Sequence, residues 1–112
     1  MKQILIKRGD IFWVDFDPAK ATEIQKTGPS LVLSHDVMND NYTRVIVAPI
    51  TSNIKKIYSF DHKLHDNPHV SGKVMLHQIR TVDKTFLNKK ITSLSLKEMA
   101  EIEPIIKFIL GV

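Results

Sequence analysis

Two short apolar runs near the N-terminus, residues 11–16 and 31–33, bracket a polar and basic stretch holding Lys20, Thr22, Glu23, Gln25, Lys26 and Thr27. The runs read as β-strands. The first ends at the turn pair Asp17-Pro18, and the second starts just past Gly28-Pro29. Side chains alternate along a strand, so Phe12, Val14 and Phe16 form the core face of the first, and Trp13 falls at a rim or an interface. The stretch between them has almost nothing to bury. A loop that cannot pack itself, held by a strand at each end, points to function.

Further along, residues 35–41 suit a short helical turn. Residues 42–50, YTRVIVAPI, are β-branched and apolar and read as a central strand, with Pro49 marking its end or a bulge. Thr51-Ser52-Asn53 is then a strand-end loop. A weak strand is expected within 54–64, around Tyr58 and Phe60, a loop over 65–72 and a strand over 73–76. Residues 79–82 continue that strand or follow a bend, 86–90 read as a connector, and Ile91 as a last brief strand. Leu96, Met99, Ala100, Ile102, Ile106, Ile109 and Leu110 recur at helical spacing. Ser95 with Glu98 fits a capping box, Pro104 should kink or split the helix, and Gly111 ends it. Short strands followed by one helix predict a mainly β fold, a small β-barrel with the C-terminal helix against it, in a single domain over 1–112.

Charge and composition narrow the partners. The 112 residues carry a net charge of +4, which favours a polyanion such as RNA or an acidic protein segment. Without cysteine there is no disulfide framework and no thiolate metal site. No apolar run approaches the roughly 20 residues of a membrane span. The basic start is interrupted by Lys7, Arg8 and Asp10 too soon for a signal peptide, so a cytoplasmic chain is expected. His62, His65 and His69, with Asp61 and Asp66, have the look of a metal cluster. They lie on a loop-and-edge segment with Pro68, so a solvated loop is expected, and no metal or cofactor. Trp13 suits stacking on a base, receiving a partner's side chain, or burial at a rim.

Taken in order, RGDIFWVDFDP, GPSLVLS, VIVAPITS and HQIRTVDK, then a C-terminal helix, resemble the MazF/PemK (CcdB-like) toxins of bacterial type II toxin–antitoxin pairs over nearly the whole chain. The resemblance implies an SH3-like barrel, a homodimer and sequence-specific, metal-independent cleavage of single-stranded RNA. It also implies inhibition by an antitoxin whose acidic, partly disordered tail folds onto the dimer, with DNA contacted only through that antitoxin.

Carried over residue by residue, the family's catalytic threonine falls on Thr51. Its catalytic arginine, immediately before the proline of the second strand, falls on Gly28. In the strand leading to Gln78, which matches, Met75 stands for the arginine and His77 for the aspartate of PemK-type members. Glu23 matches, and Ile24 takes a place often filled by glutamine. Lys20, Thr22, Glu23, Lys26, Thr27, Ser52, Asn53 and Gln78 are the implied RNA-binding set, with Thr51, position 28 and His77 the catalytic one.

Cleavage of RNA by its own 2′-hydroxyl needs a base, an acid and a stabiliser for the phosphorane charge. Arginine suits the last because its planar fork matches two phosphate oxygens. Gly28 has no side chain to offer. Lys26 or Arg80 would have to stand in. The expectation is a weakened RNA-cleaving toxin; the alternative is an inactive homologue that keeps antitoxin and RNA binding or joins the antitoxin in operator repression.

Overall fold

The computed structural model describes residues 5–16 and 27–112. Seven strands form one antiparallel sheet system: β1 (Asp10–Asp15), β2 (Thr27–Val32), β3 (Arg44–Thr51), β4 (Asp61–Lys63), β5 (Lys73–Met75), β6 (Arg80–Asp83) and β7 (Leu87–Ser93). The order is β4-β5-β3-β2-β1-β7, and β6 pairs with the first half of β3 while β5 pairs with its end. Two helices complete the fold, α1 (Asp36–Asn41) and α2 (Leu96–Leu110). The sheet is curved but not closed, so the architecture is the expected mainly β one with a terminal helix. No helix of the described residues is long and apolar enough to cross a membrane.

The strands bury both faces. Phe12, Val14 and Phe16 join Val32, Val45, Val47, Val82 and Leu87 in one cluster, as the alternation predicts. Ile11, placed by the sequence on the other face with Trp13, is fully buried too. It belongs to a second cluster with Leu31, Ala48, Ile50, Val74 and the α2 residues Met99 and Ile102. Trp13 is 41% exposed, which fits a rim position.

Several expectations are corrected. β2 begins at Thr27, so Gly28-Pro29 lies inside the strand rather than before it. β2 pairs with β1 through Thr27 but with β3 only from Ser30, so at Pro29 one edge of the strand is already free. There the missing N–H costs no ladder bond. Pro49 likewise does not end β3; it stands where the outer partner changes from β6 to β5. The weak strand expected around Tyr58 and Phe60 is the three residues of β4 just beyond them. Residues 86–90, expected as a connector, are mostly β7, an edge strand whose exposed Asn88, Lys89 and Lys90 hide its pairing with β1.

In α2, Ser95 caps the helix by accepting from the Glu98 N–H, and Gly111 ends it in the left-handed region at φ 73°. Pro104 does not split the helix. It and Ala100, whose carbonyl it leaves without a donor, are both on the exposed side. The predicted stripe is narrower than expected: Met99 and Ile102 are buried and Ile106 and Ile109 pack against them, while Leu96, Ala100 and Leu110 are exposed.

The segment expected to be a solvated loop is also different. His62 is buried on β4 and its Nε2 lies 2.9 Å from Glu98 Oε2. The backbone N–H of His65 donates to the same oxygen at 3.0 Å. Glu98 therefore does not complete a capping box by turning back to its own helix start; it turns inward to the histidines.

Candidate functional site

The register of the ladder places the site. Ser30 pairs with Pro49 and Val32 with Val47. The ladder stops at Ser30, and beyond it Gly28 and Thr51 face each other across one cleft. Thr51 in turn pairs with Lys73 on β5, and Gly28 with Val14 on β1. Cross-strand partners put side chains on one face, so Thr51 and Lys73 form a row, with position 28 across the cleft.

Gly28 and Thr51 line one cleft of about 270 Å³, together with Trp13, Thr27, Pro29 and Ser52. An adjoining groove of about 260 Å³ shares Thr51 and continues past Asn53, Lys55, Lys56, Tyr58, Lys73 and Met75. Thr51 thus stands between two concavities. Its Oγ1 accepts from the Asn53 N–H at 3.2 Å, and Asn53 Oδ1 accepts from the Lys55 N–H at 3.2 Å. Two successive side-chain turns thereby fix the strand end, and the Thr51 hydroxyl proton stays available to a ligand. Gly72 holds the other side: its φ is +112°, and a Cβ there would lie 2.2 Å from the Thr51 carbonyl oxygen. Only glycine lets residues 71–72 pass so close.

Gly28 is unlike Gly72. Its φ is not in the positive range, and a Cβ there meets no atom within 4 Å among the described residues. Neither backbone nor packing requires glycine at this position.

The groove carries cations and rings that the sequence reading did not single out. Lys56 Nζ and Lys73 Nζ lie 5.6 and 5.2 Å from the centre of the Tyr58 ring. Tyr58 stacks on Phe60 at 5.1 Å. The Lys55-Lys56-x-Tyr58 pattern was the available signal, a basic pair followed by an aromatic. Lys73 is already engaged, bonding Asp61 Oδ2 and the Lys56 carbonyl, each at 2.7 Å. Arg80, the other suggested stand-in, lies over the Phe16 ring at 4.6 Å and lines neither cavity.

His77 and Gln78 stand outside both walls. They occupy a 3-10 turn after β5, with Gln78 Nε2 3.3 Å from His77 Nε2. His77 packs edge-on against Phe60 at 4.5 Å and lies 4.0 Å from Asp61 Oδ1. The link from His77 to Thr51 therefore runs through Asp61 and Lys73. Lys20, Thr22, Glu23 and Lys26 lie outside the described residues, and so does Ile24. Of the predicted set, Gly28, Thr27, Thr51 and Ser52 share one cleft, and Asn53 stands in the next.

Known proteins resemble this chain in sequence and in fold. The sequence model of the PemK-like, MazF-like toxins of type II toxin–antitoxin systems matches residues 7–110. Endoribonuclease MazF9 of Mycobacterium tuberculosis is 33% identical over 111 residues, spanning 92% of this chain and 94% of its own. Endoribonuclease MazF of Staphylococcus saprophyticus is 33% identical as well, spanning 96% and 92%. Among solved structures, MazF from Deinococcus radiodurans superposes with a TM-score of 0.83 at 25% identity, covering 98% of this chain and 100% of its own. A mycobacterial endoribonuclease in complex with its cognate antitoxin has a TM-score of 0.81 at 18% identity, covering 96% of each chain, a likeness of fold alone. A match along almost the whole length, on a sheet whose cleft Gly28 and Thr51 share, makes this chain a member of the PemK-like, MazF-like toxin family of type II toxin–antitoxin systems.

Proposed function

We propose that the chain is a single-domain toxin whose cleft binds single-stranded RNA and whose endoribonuclease chemistry is strongly weakened by glycine at position 28. The observation that carries this reading is the row of Thr51 and Lys73 with position 28 across the cleft: the scaffold keeps the cleft and the hydroxyl and lacks a guanidinium beside them. Two relatives at 33% identity bear the name endoribonuclease, which supports RNA as the substrate class.

In this reading the 2′-hydroxyl of the RNA is the nucleophile. The Thr51 hydroxyl donates to the scissile phosphate, and Lys55 and Lys56 draw in the backbone on either side of it. Bases stack on Tyr58 or Trp13. Thr27, Ser52, Asn53 and Gln78 add polar contacts, with Lys20, Thr22, Glu23 and Lys26 closing the groove from the loop. His77, packed edge-on against Phe60 and 4.0 Å from Asp61 Oδ1, serves as acid or base. The phosphorane charge then meets no guanidinium, and Lys73 is held by Asp61 instead. The protein works in the cytoplasm as a homodimer, neutralised by an antitoxin with an acidic tail.

The test is cleavage of a single-stranded oligoribonucleotide by the wild-type chain and by Gly28→Arg. The variant is expected to cut at least about 100-fold faster, the usual scale for one charge-stabilising donor, and to arrest growth when expressed. Brisk cleavage by the wild-type chain, or an inert Gly28→Arg that still binds RNA, overturns the proposal. The second reading, a toxin that binds antitoxin and RNA without cutting, gains from the same glycine and is the one left standing if Gly28→Arg stays inert.

A further inference from the structure

The row next to Thr51 on the same ladder points the other way. Ile50, Val74 and His62 are cross-strand partners, and Ile50 and Val74 pack with Met99 and Ile102 of α2. Where β4 meets α2, His62 and His65 face Glu98 and Glu101, each pair three residues apart. His62 Nε2 is 2.9 Å from Glu98 Oε2 and 4.0 Å from Glu101 Oε1. His65 Nε2 is 3.9 Å from Glu98 Oε2 and 2.5 Å from Glu101 Oε1.

The charges of this cluster are incompletely met. Glu98 is fully buried, and its Oε1 has no hydrogen-bond partner among the described residues. A buried carboxylate with one oxygen unused carries a desolvation cost that the two contacts on its other oxygen, from His62 Nε2 and the His65 backbone N–H, offset only in part. Ligand atoms of His62, His65 and Glu98 all lie within 4.8 Å of one another.

We propose that His62, His65, Glu98 and Glu101 bind one divalent transition-metal ion of the zinc class, which clamps β4 to α2. Zinc sits about 2.0–2.2 Å from imidazole nitrogen and carboxylate oxygen in tetrahedral sites, so neighbouring donors end about 3.3 Å apart. The histidine–carboxylate separations, 2.5 to 4.0 Å, bracket that value. Two imidazoles favour zinc, cobalt or nickel over the hard, oxygen-seeking calcium and magnesium. The buried His62 and Glu98 form the floor, and the half-exposed His65 and Glu101 form the side by which an ion enters. Because this row and the Thr51 row face opposite sides of the ladder, the ion supports the fold and takes no part at the cleft.

The test uses the full-length chain without a polyhistidine tag, freed of metal by a chelator. Titration with zinc chloride is expected to show one ion per chain with a dissociation constant in the micromolar range or below. At hundred-fold excess over that constant the melting temperature should rise by about 10 °C. Cobalt should give the intense visible bands of a four-coordinate site. His65→Ala changes a half-exposed side chain and leaves the fold in place; it should weaken zinc binding by more than about tenfold. Glu98→Gln, which keeps the shape and an acceptor, should do the same. Absence of stoichiometric binding overturns the proposal. So does a six-coordinate cobalt spectrum, or zinc binding that both variants leave unchanged.

Discussion

Two neighbouring rows of one ladder meet opposite fates. The row of Thr51 and Lys73, with position 28 across the cleft, faces an open groove; the row of Ile50, Val74 and His62 runs into the core, against the fully buried Glu98. Residues adjacent in sequence, Ile50 and Thr51 or Lys73 and Val74, fall on different sides because the side-chain period of a strand is two. The lesson is that charge in this molecule is distributed by strand parity. Counting charges along residues 50–75 mixes two sites that do not face each other.

The largest loss is expected at the Thr51 hydroxyl. In the Gly28→Arg background, Thr51→Val should remove most of the recovered cleavage, on the order of 100-fold, while RNA binding measured by anisotropy changes little. Activity that survives Thr51→Val means the row is not the reacting one.

Next in size is the cation of the same row. Lys73→Met leaves the Asp61 carboxylate buried without its partner, which should cost about 3 kcal/mol and lower the melting temperature by about 12 °C. Unchanged stability means Asp61 is not held as a buried charge. Gly72→Ala follows: it places a Cβ against the Thr51 carbonyl at a positive φ, and about 2 kcal/mol of destabilisation is expected, with slower cleavage in the Gly28→Arg background.

A control outside both rows has the smallest effect. The Arg8 backbone N–H donates to Asp36 at 2.7 Å and holds its carboxyl below the usual 3.8. A depressed carboxyl contributes stability above its unfolded value and loses it as pH falls through the folded one. Asp36→Asn should therefore flatten the acid limb of a stability–pH curve below about 4 and leave cleavage untouched; a change in cleavage rate would tie the N-terminal turn to the cleft.

Much of this was legible in the sequence. The alternation of Phe12, Val14 and Phe16, the β-branched run before Thr51 and the Ser95 and Gly111 caps are local signals, and local signals survive folding. What escaped depended on distant partners. Asn88, Lys89 and Lys90 gave no strand pattern because β7 is an edge whose pairing is supplied by β1. Gly28-Pro29 reads as a turn, yet pairing with Trp13 and Val14 keeps it extended. Glu98 matches a capping motif so well that its inward turn to His62, 36 residues away, has no trace in the local sequence. Placing Gly28 near Thr51 needed the fold of β2 beside β3; the family likeness named the two positions, and the shared cleft supplied their adjacency.

Glycine at position 28 carries a consequence at the level of the gene. Every glycine codon becomes an arginine codon through substitution of its first base, and among the described residues a Cβ at position 28 meets no atom within 4 Å and the backbone φ is not positive. On the reading proposed above, a lineage carrying this chain stands a single nucleotide from a lethal phenotype, so its antitoxin remains worth keeping long after the toxin has fallen silent.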